Sequence, residues 1–386
     1  MRGFLMFGLI ASHLAAGLIP ILVFLVLLKL RSRKYYKQYR ESFWERQNHQ
    51  SLQQTGVFSL DQIPRPPDVT TERDNQNMVL QTIAACQVSG LFEKMLEQTS
   101  LGKNDVVRIL RAPEYKVDAV IQLLLAANVL QSNDSGYELT NQARLYLVAQ
   151  SPFYTPLHAP MPAQRFLHLL RVGKRKGART EWKSGKSYDP ERIAIQQHQQ
   201  SFPIGFALHN TNILGNAEHI LDVAGGMGSI CVALALKDAN RRLEIIELPD
   251  SVPVAEKLIA KFNLTERISC RGMNMFTEEW PDQMDALLFT NILHDWDKTA
   301  CTTLLKKAYQ SLKAGGIVAI QEALMNDDKS GPLWTAHMSM NMALFTHGRQ
   351  YNRIEIETLL QSAGFVDIRH MNVLGYYSSI YARKPS

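Results

Sequence analysis

The sequence predicts an α/β protein built on a doubly wound, Rossmann-like sheet, with a winged-helix domain before it and an apolar N-terminal helix in front of both. Three stretches carry the prediction. In His219 to Glu247, HILDVAGGMGSICVALALKDANRRLEIIE, an apolar run ends in a glycine turn and helix-spaced residues follow. From Leu243 to Gln321, short β-branched runs alternate with helical patterns. From Gly3 to Leu28 no residue is charged.

Taken in chain order, that uncharged run comes first. In a helix, about 25 residues at about 1.5 Å each exceed the roughly 30 Å of a bilayer's hydrocarbon core. A transmembrane anchor over residues 3–28 is therefore expected, kinked at Pro20, with His13 as its one ionisable group. No small-residue cleavage site precedes the basic run, which argues against a removed signal peptide. Lys29, Arg31, Arg33, Lys34, Lys37 and Arg40 follow the span, against Arg2 in front, so the bulk of the chain is expected in the cytoplasm. Tyr35, Tyr36, Tyr39, Phe43 and Trp44 suit a helix leaving through the headgroup layer, and Ser51 to Asn75, broken by Pro64, Pro66 and Pro67, reads as a linker.

The next segment alternates helical patterns with a short β signal: VLQTIAACQVSGLFEKML, VVRILRA, KVDAVIQLLLAANVL, then the turn Asn133-Asp134-Ser135-Gly136 into YELT. This is the pattern of a winged helix. The would-be recognition helix, Tyr115 to Leu130, carries Lys116 as its only cation, so contact with protein is expected and nucleic acid is not. The net charge of +6 agrees, because much of the excess sits in short runs such as Lys174-Arg175-Lys176 with Arg179. A solvated loop or contact with anionic lipid accounts for that second run. Four cysteines, far apart and with no C-x-x-C, support neither a disulfide framework nor a metal site. With 386 residues and 46% apolar residues, the chain is long enough for two domains and extensions.

The α/β part then reads as strand Ile220 to Val223, glycine turn, helix; strand Leu243 to Ile246, helix Val252 to Phe262; strand Ile268 to Arg271; strand Ala286 to Phe289, helix Lys298 to Leu312; turn Ala314-Gly315-Gly316 and strand Ile317 to Gln321. A helix from Glu355 to Phe365 and two antiparallel strands, Val366 to Met371 and Tyr376 to Ala382, close it. At the glycine turn, backbone N–H groups at a helix N-terminus favour an anionic ligand group. Glu247 ends the next strand about 20 residues on, where nucleotide-binding units place an acid on ribose hydroxyls. The spacing A-G-G-x-G, after Asp222, is not the G-x-G-x-x-G of dinucleotide binding, which argues against NAD.

The turn resembles the D-x-G-G-G-x-G motif of S-adenosylmethionine-dependent methyltransferases, with Ala224 in place of the first glycine. Further on, Leu293-His294-Asp295-Trp296, then Gly315-Gly316, then Glu322 at the end of the next strand, make the chain from about Met78 onward resemble the caffeate- and flavonoid-type O-methyltransferase family of plants and bacteria. The resemblance implies S-adenosylmethionine as cofactor, held by Asp222, Gly225, Gly226, Gly228, Glu247, Asn274, Met275, Asn291 and Trp296. It implies His294 as the base that takes the acceptor's proton, with Glu322 and Gln350 holding its ring. It also implies an acceptor pocket lined from the helix Trp334 to Phe345, by His337, Met338, Asn341 and Met342, for which plain core packing is the rival account. Asn274 stands where the family has an aspartate, and Gln350 where it has a second acid. The amide of Gln350 adds no charge, so His294 is expected to be the weaker base for it.

The expected organisation is thus an anchor at 3–28, a juxtamembrane helix and linker at 29–75, a winged-helix dimerisation domain at 76–172 and a catalytic domain at 173–386. The expected function is methylation of a hydroxyl on a small aromatic or lipophilic acceptor. The alternatives are a C-methyltransferase of the same fold, which would not require His294, and a cofactor-sensing regulator that binds DNA.

Overall fold

The computed structural model describes residues 36–386 apart from 60, 62–68, 99, 149, 151–158, 173–188 and 347. The expected span over 3–28, most of the basic run behind it and the string at 174–179 lie outside the described residues. Among the described residues, no helix is long and apolar enough to cross a membrane.

The chain falls into two compact units, residues 1–56 and 57–386. In the first, residues 36–46 are helical and the rings of Phe43 and Trp44 meet edge to face at 5.3 Å. Helix α1, His49–Gln54, is capped by Asn48, whose side chain accepts from Ser51 N at 2.8 Å.

The second unit begins with helices. After a 3₁₀ turn at Val57–Ser59 comes α2, Val69–Val88. The expected linker from Ser51 to Asn75 is therefore helical at both ends. From Asp68 to Ser89 there is no proline or glycine, so nothing stops a helix once Pro67 is passed. Gly90, at φ 76, divides α2 from α3, Leu91–Glu97. Then come α4 (Lys103–Leu110), α5 (Glu114–Ala126), strands β1 (Leu130–Asn133) and β2 (Gly136–Leu139), α6 (Asn141–Tyr146) and α7 (Ala163–Arg171). Helix α5 ends sooner than its apolar pattern suggests, because Asn128 turns left-handed at φ 55 and Leu130 pairs with Leu139 in the β1–β2 hairpin. Lys116 is not presented to solvent: it is buried, and its Nζ donates to Leu169 O at 2.7 Å and Val172 O at 2.8 Å, at the C-terminal end of α7.

The α/β part opens with a helix that the sequence reading did not identify, α8, Pro190–Asn210, followed by β3 (His219–Val223), α9 (Ser229–Lys237), β4 (Arg242–Glu247), α10 (Val252–Lys261), β5 (Ile268–Gly272) and β6 (Met284–Thr290). A 3₁₀ turn Leu293–Asp295 leads to α11 (Lys298–Ser311), β7 (Leu312–Ala323), α12 (Leu333–Phe345), α13 (Arg353–Ser362), β8 (Val366–Leu374) and β9 (Tyr377–Arg383). The seven-stranded sheet has the order β5-β4-β3-β6-β7-β9-β8; β9 runs antiparallel to both neighbours and the other pairings are parallel. Strand order reverses between β3 and β6, so their carboxyl ends open a crevice of the kind that binds ligands in such sheets. Ala314-Gly315-Gly316, expected as a turn before a strand, lies inside β7. There the partner of β6 jumps from Leu312 to Ile317, and Gly315 at φ 73 absorbs the bulge.

Among the described residues, two apolar cores bear on the site. One fills the sheet and its α11 and α13 face, around Leu221, Phe289, Leu304 and Ile380. The other joins α2 to α7 with Met325 and the α12 residues Ala336, Met340 and Ala343, so α12 is packed into the core of the preceding helices.

Candidate functional site

At the end of β3 the chain makes its turn with Ala224 at φ 53, Gly226 at φ 59 and Gly228 at φ 79. Glycine suits such angles because it has no Cβ, and Ala224 adopts one without that relief. Gly225 is needed for space: a Cβ there would lie 2.6 Å from Asp222 Oδ2. Asp222 sits beneath the turn, 1% exposed, with Oδ1 lacking a protein partner and Oδ2 accepting from Cys231 Sγ at 3.4 Å. Burial raises its carboxyl to about 7, opposed by the Cys231 hydrogen bond.

Glu247 folds back on the turn. Its Oε2 accepts from Gly226 N at 2.9 Å and its Oε1 from Leu248 N at 2.7 Å, while burial raises its pKa. A carboxylate has further lone pairs, so these bonds leave it able to accept from a ligand. Asn274, just beyond β5, uses its side-chain oxygen to accept from Phe276 N at 2.9 Å. Its neighbour Met275 accepts from Trp280 Nε1 at 2.9 Å through its carbonyl.

The His294 loop follows β6. Asn291 is left-handed at φ 58 and ties back through N to Gln321 O at 3.0 Å, and the 3₁₀ turn then brings His294 inward to 6% exposure. Its Nδ1 lies 2.6 Å from Glu322 Oε2, and its backbone N donates to Glu322 Oε1 at 3.3 Å. One buried carboxylate thus fixes both the ring and the main chain of the residue. With the proton on Nδ1 donated to Glu322, Nε2 is the basic nitrogen, and the negative charge beside the ring favours its protonated form. Gln350, 1% exposed, reaches the same nitrogen with Nε2 at 3.3 Å, and its Oε1 has no partner. Turned over, the amide would share the Nδ1 proton with Glu322 through its oxygen, without adding charge.

One cleft brings several of these parts together, whereas Glu247, Asn274, Met275 and Glu322 form no part of its lining. Asp222, Gly225, Gly226, Asn291, His294 and Gln350 line it, with Met338 and Met342 of α12. Other expected residues lie elsewhere. Gly228 caps α9, where a Cβ would meet Ile245 Cδ1 at 2.7 Å. Trp296 packs edge to face on Phe276 at 4.5 Å and lines a separate hollow with Tyr115, Arg349 and Tyr351. His337 and Asn341 form no part of the cleft's lining: His337 Nδ1 meets Asn75 Oδ1 of α2 at 2.8 Å, and Asn341 Nδ2 meets His337 Nε2 at 3.0 Å. On α12 the side turned to α2 carries these two, whereas Met338 and Met342 face the cleft. Burial lowers the His337 pKa, which keeps that ring neutral.

The cleft also has walls that sequence reasoning missed. Helix α8 contributes Gln197, His198, Gln200 and Ser201, and the closing strand β9 contributes Tyr377; Trp334, at the start of the helix already expected to line the pocket, joins Met338 and Met342. His198 bonds Ser229 Oγ through Nδ1 at 2.9 Å, and burial lowers its pKa to about 4. Gly348 was missed too: a Cβ on it would lie 2.1 Å from His294 O. Only the G-R-Q run beside Gln350 could have signalled it. Among the described residues, no group of His, Cys, Asp or Glu could hold a metal ion, and the four cysteines are free.

Known proteins share sequence and fold with this chain. Residues 184–366 match the family model described as the O-methyltransferase domain. The 3-hydroxy-5-methyl-1-naphthoate 3-O-methyltransferase of Streptomyces sahachiroi is 29% identical over 300 residues, 75% of this chain and 86% of the relative. Acetylserotonin O-methyltransferase of Gallus gallus is 26% identical over 342 residues, 82% of this chain and 97% of the relative. An O-methyltransferase family 2 protein from Planctomyces limnophilus, solved in complex with apigenin, shares the fold with a TM-score of 0.69 at 23% identity, covering 84% of this chain and 98% of that one.

Proposed function

We infer that the protein is an S-adenosylmethionine-dependent O-methyltransferase acting on a hydroxyl of a small aromatic acceptor, with residues 184–366 as its O-methyltransferase domain. The observation that carries the reading is that His294, held by Glu322, lines the same cleft as the glycine turn. Relatives matched over most of their length are named for O-methylation of a naphthoate and of acetylserotonin, which supports an aromatic hydroxyl as the acceptor.

The residues present fit the cofactor. The buried Asp222 has an unpartnered Oδ1, and Gly226 leaves open space where a Cβ would stand, 3.9 Å from Gln197 Oε1. Asp222, Gly225, Gly226 and the start of α9 would hold the amino-acid end, with Gly228 shaping the turn. Glu247 would hold the ribose, and Asn274 and Met275 the base, with Asn291 on the adjoining loop. When bound, the cofactor supplies an electrophilic methyl group on a sulfonium.

A phenol near pKa 10 and a histidine near 6.5 differ by about 3.5 units, roughly 5 kcal/mol, so complete proton removal before attack is uphill. His294 Nε2 therefore takes the proton as the acceptor oxygen attacks. Glu322 holds the tautomer and stabilises the imidazolium, and Gln350 orients the ring. Met338 and Met342 give the acceptor an apolar, adaptable wall.

The N-terminal part adds location and assembly. Residues 3–28 anchor the chain in a membrane with the catalytic domain on the cytoplasmic side, a reading supported by the uncharged run and the cations behind it. Helices α4 and α5 with the β1–β2 hairpin support a winged helix, the burial of Lys116 speaks against its use on nucleic acid, and its use in a homodimer is what the resemblance implies. The experiment is incubation of the protein with cofactor and a panel of hydroxylated aromatics, read by mass spectrometry. O-methylated product is expected; methyl on ring carbon would replace this reading with C-methylation.

A further inference from the structure

A run of buried hydrogen bonds leads from His294 out of the cleft and into the helices that precede the sheet. The side-chain amide of Gln350 lies 3.3 Å from His294 Nδ1. The main-chain N of the same glutamine donates to Ser339 Oγ of α12 at 3.3 Å, and Ser339 donates its hydroxyl to Gln122 Oε1 of α5 at 3.2 Å. All three residues are buried. Gln122 and Ser339 stand 217 residues apart in the chain and meet where α12 packs into the core of the preceding helices.

Each bond in this run has one direction. A main-chain N–H can only donate, so Ser339 Oγ accepts from Gln350, and its single proton is left for Gln122. Gln122 sits in α5 among the buried residues Val117, Val120, Ile121 and Leu124, where an amide is costly without a partner and an apolar residue of its size would pack as well. Packing alone therefore does not account for it. What the pair does is hold Gln350 N. The Gln350 carbonyl is held from the other side by Arg349 Nη1 at 3.2 Å, and that guanidinium is itself fixed by two bonds to Glu355, of 2.8 and 2.9 Å. A carboxylate beside an imidazolium would be drawn to it by charge, whereas a neutral amide is aimed by its hydrogen bonds and by the main chain that carries it. Gln122 and Ser339 form no part of the cleft's lining, so what they do for the base passes through Gln350.

We propose that Gln122 and Ser339 are positioning residues for the base: through the main chain of Gln350 they keep its amide against His294, so that α5, a helix outside the sheet, helps to set the ring that takes the acceptor's proton. The proposal rests on the O-methyltransferase reading and adds to it two residues that touch neither the acceptor nor the cofactor.

Its test measures the single-turnover methylation rate of the full chain at saturating cofactor, and the acceptor concentration that half-saturates it. The acceptor is whichever of a naphthol, a naphthalenediol and a hydroxynaphthoate wild type methylates best. The variants are Ser339→Ala and Gln122→Met, each alone and each combined with Gln350→Met. Alanine only removes a hydroxyl and methionine keeps the length of glutamine, so both should fold, which a urea melt checks. Each single variant should lower the saturated rate about three- to tenfold, the worth of one hydrogen bond, with the half-saturating concentration and the cofactor Kd unchanged. Beside Gln350→Met either change should cost less than about twofold, because the amide that the pair positions is gone. Folded single variants with the wild-type rate overturn the proposal. So does a loss that appears as weaker acceptor or cofactor binding, or one that persists in full beside Gln350→Met, since the pair would then serve only the packing of α12 on α5. No product from wild type with any of the three acceptors overturns the O-methyltransferase reading and the proposal with it.

Discussion

Replacing Gly348 by alanine should disable the site without touching any reacting atom. A Cβ at this buried position would lie 2.1 Å from His294 O, 2.5 Å from Trp296 N and 2.6 Å from Asp295 C, whereas real Cβ atoms essentially never come within 3.0 Å of such neighbours. All three are main-chain atoms, so no rotamer change relieves the clash, and the segment carrying His294 has to retreat by about an ångström. That shift is enough to break the 2.6 Å bond from His294 Nδ1 to Glu322 and to move Nε2 off the acceptor. A misplacement of about 1 Å costs about 10²-fold in rate, and overpacking of a tight contact costs about 1–3 kcal/mol of stability. Steady-state kcat measured beside a urea melt and a cofactor titration checks both figures. A folded Gly348→Ala protein with wild-type kcat would refute the claim that this glycine positions the base.

Three further outcomes follow from the glycine turn. Glu247→Ala should weaken cofactor binding by about 1.5–3 kcal/mol through lost charge-assisted hydrogen bonds, and unchanged affinity in calorimetry would remove Glu247 from the site. Ala224→Gly relieves a left-handed strain of about 1–2 kcal/mol against about 0.4–1 kcal/mol of extra chain freedom when unfolded, a net gain of about 0.5–1 kcal/mol in a urea melt; a loss of stability would contradict it. The Asp222 carboxyl, raised by burial to about 7, binds more protons folded than unfolded at intermediate pH. Wild type should therefore lose stability relative to Asp222→Asn as pH rises from about 4 to about 7, with no further change above, and parallel melting curves across that window would count against the shift.

Much of this site could be read from the sequence because its parts are local. Asp222 to Gly228 and Leu293 to Trp296 each lie within one strand-to-loop transition, so residue type and spacing almost fix their place at the sheet's carboxyl edge. Choices of helix face were harder. His337 and Met338 are adjacent in sequence, yet one meets Asn75 on α2 and the other the cleft, and only the packing of α12 decides which. Trp296 is a similar case, one step past Asp295 and turned onto Phe276. Helix α8 was missed because it follows a stretch with no clear pattern, contains Pro203 and shows polar residues, Gln197 and Gln200, on the face that becomes the cleft wall. Gly348 and Tyr377 act across distances of more than fifty residues, which local patterning does not encode.

The central claim is that His294 carries the proton transfer in methylation of a hydroxyl. Its most direct test is the single-turnover methylation rate of His294→Ala with cofactor saturating. The account predicts a fall of about 10²–10⁴-fold with little change in cofactor affinity, the usual worth of a positioned base. A variant that methylates the same hydroxyl at the wild-type rate would contradict it.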